Sequence, residues 1–176
     1  MKAVLISIQP QWCKLIADGR KTVEVRKTHP KLETPFKCYI YCTYGQGLIE
    51  RYDAVYPNVL IDQTVSKNAI WGNCCNGKVI GEFVCDKIIP IKVFPNGTIQ
   101  DYMFYNIEQS FVAYDDIVRY IGNDRTGYGW HISDLLLYDK PKELREFQKP
   151  SEPNEVWYRD ISLKKPPQSW CYVEEV

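Results

Sequence analysis

The sequence predicts an α+β domain in which strands outnumber helices. Two observations carry that expectation. Residues 2–9, 36–43 and 78–91 are runs of β-branched, aromatic and other apolar residues suited to strands, whose side chains sort onto two faces at a period of two. Trp12, Leu15 and Ile16, and later Phe111, Ile117, Val118 and Ile121, recur instead at helical spacing. A chain of 176 residues holds enough material for one ordinary core. Residues 1–138 are read as that domain, and 139–176 as an extended segment packed on it.

The elements follow in order. Residues 2–9 form a first strand, with Val4, Ile6 and Ile8 on one face and Leu5, Ser7 and Gln9 on the other. Pro10 opens a helix, because the first helical position needs no N–H. That helix runs to about Asp18, and Gly19 suits the left-handed residue that ends it. A short strand through Thr22–Arg26 comes next, then a loop marked by Pro30 and Pro35, then a strand over 36–43. From 44 to 76 the pattern dissolves, and this stretch reads as an insertion that covers a binding cleft. Residues 78–91 give a long strand or a bent pair of strands, with Gly81 marking a bulge or a close backbone approach. Pro95-Asn96-Gly97 is a turn, and 108–121 is a helix ended by Gly122. Gly127–Ser133 reads as a strand and Leu135–Tyr138 as another after a bend. In the proline-dotted tail, Trp157, Trp170 and Tyr172 are the residues available to staple it back.

The most chemically loaded stretch is Gly19–Lys27. Thr22, Glu24 and Arg26 share one face of its strand, Val23 and Val25 the other, and Lys21 sits at the corner. Two cations, a hydroxyl and a carboxylate thus converge within a few positions. The plain alternative is a solvated strand face whose Glu–Arg pair is worth about 0–1 kcal/mol. Gln9, Gln11 and Lys14 lie at the N-terminal end or polar side of the first helix, where free N–H groups suit an anion or a polarised carbonyl. Trp12 at helical spacing is more often core than platform, and a lone His131 more often a hydrogen-bonded packing residue.

Composition narrows the function classes. Twenty-two basic residues balance 22 acidic ones, so global charge does not favour sequence-independent wrapping of duplex nucleic acid. Aromatics make up 14%, with 13 tyrosines and 5 tryptophans, enough for a core and a stacking surface together. The opening apolar run is too short, and too soon interrupted by Pro10, for a signal or membrane helix. Seven cysteines, an odd count, then read as reduced cytoplasmic thiols. Cys38 and Cys42 with Cys74-Cys75 do not match a zinc spacing, so neither metal nor cofactor is expected.

Two groups of residues resemble a known family. Ser7-Ile8-Gln9-Pro10-Gln11-Trp12 followed by Gly19-Arg20-Lys21-Thr22-Val23-Glu24-Val25-Arg26 is similar to the opening of the ASCH domain. Val79–Phe83 and Gly129–Ser133 resemble its closing strands, while Tyr138–Leu144 and Pro167–Tyr172 look like bacterial and phage members. The resemblance implies a PUA-like small mixed β-barrel flanked by short helices, here with a long insertion and an extended C-terminal tail. It also implies an RNA or nucleotide partner held in a cleft by Lys21, Glu24, Arg26 and Lys27, with Ser7, Gln9 and Trp12 beside them. Arg26 then contacts a phosphate or base edge, Lys21 or Lys27 neutralises a phosphate, and Trp12 or a tyrosine stacks on a base.

Some small relatives hydrolyse the amide of N4-acetylcytidine with the lysine that corresponds to Lys21, a threonine three residues later and a more distant glutamate. Here Glu24 stands in the threonine's place, and Glu82 is the candidate distal carboxylate. An amidohydrolase acting on N4-acylated cytidine, with Lys21 and Glu24 catalytic, is therefore the alternative to a binding module. A protein-interaction module using the insertion and tail is a third reading.

Overall fold

The computed structural model describes residues 1–45, 75–101, 105–150 and 161–176. The elements are β1 (Lys2–Ile8), α1 (Pro10–Ala17), β2 (Val23–Arg26), β3 (Phe36–Cys42), β4 (Lys78–Cys85), β5 (Ile88–Val93), β6 (Ile99–Asp101), α2 (Tyr105–Ser110), α3 (Tyr114–Ile121), β7 (Arg125–His131), β8 (Ser133–Lys142) and β9 (Trp170–Glu174). They form a five-stranded sheet in the order β8-β4-β3-β1-β9 and a four-stranded sheet in the order β2-β7-β5-β6.

β1 and β3 run parallel, with α1 and β2 on the connection between them. Their register explains why both strands are buried on both faces. Val4, Ile6 and Ile8 stand opposite Cys38, Ile40 and Cys42. These six face Cys13, Ile16 and Ala17 of α1 and, from the second sheet, Trp130. Leu5 stands opposite Tyr39, and this other face, which Val173 of β9 shares, is covered by Phe147 and Leu163 from the C-terminal part of the chain. Each such aliphatic side chain contributes about 1.5–3 kcal/mol by leaving water.

Two nearly continuous runs, β4 into β5 and β7 into β8, pass from one sheet to the other and join them along one side. Gly81 sits where the β4 register shifts, and a Cβ there would lie 2.4 Å from the Leu136 carbonyl oxygen. On the opposite side, no described ladder connects β2 to β1 or β9. The expected small mixed β-barrel is thus two sheets joined at one seam, with no ladder among the described residues at the other. That second seam positions the site.

The helix expected over 108–121 is two helices. Phe111 takes a left-handed φ of 55° between them. Ser110 accounts for the break: its hydroxyl donates to Ile107 O and accepts from Val112 N, in competition with the helical ladder. β6, which the sequence did not signal, pairs with β5 beyond the Asn96–Gly97 turn. β8 continues to Lys142, past the residue where the tail was expected to begin, and β9 adds to the main sheet against β1. Trp157 and residues 46–74 of the expected insertion lie outside the described residues.

Candidate functional site

The site begins with how α1 ends. Gly19, at φ 69°, bonds back to Ile16 O, and the Arg20 and Lys21 amides both reach Leu15 O. This tight reversal tucks Lys21 beneath the helix, where it is 1% exposed. Its ammonium donates to Val23 O at 2.8 Å and to Ser110 O at 2.6 Å, and pairs with Glu24 Oε2 at 3.2 Å. The Trp12 ring centroid is 5.2 Å away. Burial lowers the lysine's pKa below its ordinary 10.5, and Glu24 opposes that shift without cancelling it.

Glu24 and Arg26 follow on the same face of β2, and both are buried. The solvated strand face does not survive this: the pair lies inside the protein, where unpaired charge costs several kcal/mol (on the order of) and must be matched by hydrogen bonds. Arg26 Nη2 reaches Glu24 Oε1 at 2.9 Å and Ser7 O at 2.6 Å, and Nη1 donates to Ser169 Oγ at 3.3 Å. The guanidinium therefore ties β2 to β1 and to the residue before β9, across the seam that lacks a ladder. Ser7 anchors the same segment, with its amide on Ser169 O and its hydroxyl on Pro167 O.

These groups line a cavity of about 1110 Å³. Ser7, Gln9, Trp12, Lys21, Glu24 and Arg26, all singled out from the sequence, contribute to its lining. Two groups were missed. Val112, Asp116, Ile117 and Tyr120, from α3 and the residues leading into it, form one side, and Pro166, Pro167 and Gln168 form another. Asp115-Asp116 signalled only a helix start, and nothing in the tail's prolines marks a wall. A second, open hollow of about 540 Å³ beside the Asn96–Gly97 turn has no buried charge in its lining.

Lys27 and Glu82 lie apart from this cluster. Lys27 is exposed, with its ammonium 5.1 Å from the centroid of Tyr120, itself part of the lining. Glu82 belongs to β4, where it accepts from the Tyr138 hydroxyl at 2.5 Å and pairs with Lys37 at 3.0 Å. It does not line the cavity. His131 pairs with Asp86 at 2.6 Å. Among the described residues no group of His, Cys, Asp and Glu is placed to hold a metal ion, and no helix is long and apolar enough to cross a membrane.

The described arrangement can offer a ligand a buried carboxylate and guanidinium side by side, with aromatic faces at Trp12 and Tyr120. No family model matches the sequence, and no curated protein does. Solved structures do match. Two single-substitution variants of ZmASCH from Zymomonas mobilis align at TM-score 0.58, with 17% and 16% identity, covering 99% and 98% of this chain and 92% and 89% of theirs. The ASCH structure from the same organism aligns at TM-score 0.53 and 17% identity, over 98% of this chain and 88% of that one. The fold is that of the ASCH domain.

Proposed function

We propose that this chain, with the fold of an ASCH domain, binds RNA or a nucleotide in the cavity floored by Lys21, Glu24 and Arg26. One observation carries the reading. A Lys–Glu–Arg cluster is buried at the wall of a cavity that also presents Trp12 and Tyr120. Burying three charges carries a desolvation cost that their mutual pairing only partly offsets, and charge beside aromatic faces suits the heterocycles of nucleic acid. Arg26 and Glu24 are the ligand-contacting groups, Trp12 and Tyr120 the stacking surfaces, and Lys27 a phosphate contact at the edge. A filter-binding assay with a pool of short RNAs and the common nucleotides tests this. Binding by the wild type that Arg26→Ala weakens is expected, and equal binding by both removes the assignment to this cavity.

The amidohydrolase reading has one feature in its favour, the lowered pKa of Lys21, which raises the share of neutral amine available as a base. Incubation with N4-acetylcytidine, scored as released cytidine against Lys21→Ala, decides it. No turnover above that control ends this reading for acetylated cytidine.

A further inference from the structure

We propose a stacking site just beyond one end of the cavity, made by Phe111 and Arg20, that takes a base next to the nucleotide held inside. This rests on the nucleotide-binding reading and extends its ligand from one nucleotide to a single-stranded oligonucleotide. The site begins with a cost. Phe111 holds a left-handed φ of 55° between α2 and α3, a conformation that strains a residue with a Cβ by about 1–2 kcal/mol. Its ring is 46% exposed and belongs to none of the three apolar clusters among the described residues. Glycine or asparagine would occupy that turn with less strain and no apolar ring in water. Stability therefore gives no account of an aromatic side chain at this position, whereas a ligand that stacks on it does.

Position and charge say which ligand. Phe111 directly precedes Val112, and Arg20 directly precedes Lys21, and both of those neighbours line the cavity. The Arg20 guanidinium lies 5.9 Å from the Phe111 ring centroid. The other end of the cavity repeats the arrangement. Lys27 directly follows the lining residue Arg26, and its ammonium lies 5.1 Å from the centroid of Tyr120, the last lining residue of α3. A cation and an aromatic ring thus mark each end of the space between β2 and residues 112–120. The helical rise from Tyr114 to Tyr120 alone separates those ends by about 9 Å. A stacked strand advances ~3.4 Å per nucleotide, so a single nucleotide cannot stack at both ends and a short strand can. Asp18 takes one nitrogen of Arg20 at 3.1 Å, which leaves other N–H groups of that guanidinium for the phosphate between two bases. With Asp18 there and Asp116 in the cavity wall, stacking outweighs charge in what binds. A duplex hides its base faces, which restricts the site to single strands.

Calorimetric titration of the full chain with oligomers of adenylate, cytidylate and uridylate, from the mononucleotide up to about six residues, tests the site. Affinity for the best of these series is expected to rise at least about tenfold with length and then level off. Phe111→Gly removes the ring and suits the left-handed turn, so its melting temperature should stay within about 3 °C of the wild type. Its affinity for the longest oligomer should fall at least about fivefold, while that for the mononucleotide changes by less than about twofold. No gain with length, full oligomer affinity in Phe111→Gly, equal losses on both ligands, or a duplex bound as tightly as the single strand overturns the site and leaves nucleotide binding in the cavity standing. A melting temperature lowered by more than about 3 °C makes Phe111 a packing residue and overturns it too. Silence from every oligomer and mononucleotide removes the nucleotide-binding reading, and this site with it.

Discussion

The ammonium of Lys21 holds the carbonyl oxygen of Ser110 at 2.6 Å, across 89 residues of sequence. One end of that bond sits at the corner before β2, and the other closes α2 just before the residues that line the cavity. The lysine therefore fixes the helical side against the strand that carries Glu24 and Arg26. Its work is to hold the two together.

Replacing Lys21 by Met is expected to cost about 3 kcal/mol of stability. The carbonyls of Val23 and Ser110 lose their donor and Glu24 loses one of two cations, while part of the ammonium's desolvation cost is recovered. Urea unfolding of both proteins measures it. A loss under about 1 kcal/mol would mean that the clamp is replaceable by packing.

Arg26→Lys keeps the charge and loses the shape. A point ammonium cannot hold Glu24, Ser7 O and Ser169 Oγ together in the planar fork that the guanidinium offers. Nucleotide affinity should fall at least about tenfold, read by titration alongside a melting curve that confirms folding. Full affinity in the lysine variant would show that charge alone suffices.

Glu82→Gln should leave ligand affinity within about twofold of the wild type, since Glu82 does not line the cavity. The change should appear in acid. Burial works to raise the Glu82 pKa, but the Tyr138 hydroxyl and the Lys37 ammonium outweigh it and hold the carboxyl below its ordinary 4.5. Its contribution is present above the unfolded value and is lost as pH falls through the lower folded value. The glutamine variant should therefore show a flatter acid limb in unfolding experiments.

On the alkaline side stability should decline. Burial pushes the Cys85 thiol from 9.0 up to about 12 and the Tyr41 phenol from 10.0 to about 12. It raises Cys38 and Cys42 well above the usual thiol value as well. The unfolded chain releases these protons first, so their contribution is full below the ordinary values and shrinks as pH climbs towards the folded ones. Lys21 runs the opposite way, because its folded pKa is lowered and the cost of burying its charge is relieved as pH rises. One amine against several thiols and phenols leaves a downward slope, which urea unfolding under reducing conditions from about pH 7.5 to about pH 10.5 would record.

How much of this was legible in the sequence depends on the range of the interactions involved. β1, α1, β3 and β4 were readable because local periodicity and a proline at the first helical turn are signals within a few residues. So was the convergence of Lys21, Glu24 and Arg26, which strand parity and one glycine bring about. Which face of β2 meets solvent was not readable, since parity sorts side chains onto two faces without saying which is covered. Here the cover comes from α3 and from residues 166–169, far along the chain. The break at Phe111 escaped for a related reason: no glycine or proline marks it, and a serine hydroxyl turns the backbone instead. Trp170 and Tyr172 read as staples, and they belong to a strand in full register with β1.

The pairing of β9 with β1 sets a schedule. Pro167, 160 residues further along, and Ser169 just beyond it hold Ser7, so a chain still emerging from the ribosome carries Lys21, Glu24 and Arg26 without the segment that walls them in. Such distant closure is slow relative to helix formation. The cavity is consequently a late product of synthesis, and a nascent chain halted before β9 would display those charges without finished walls around them.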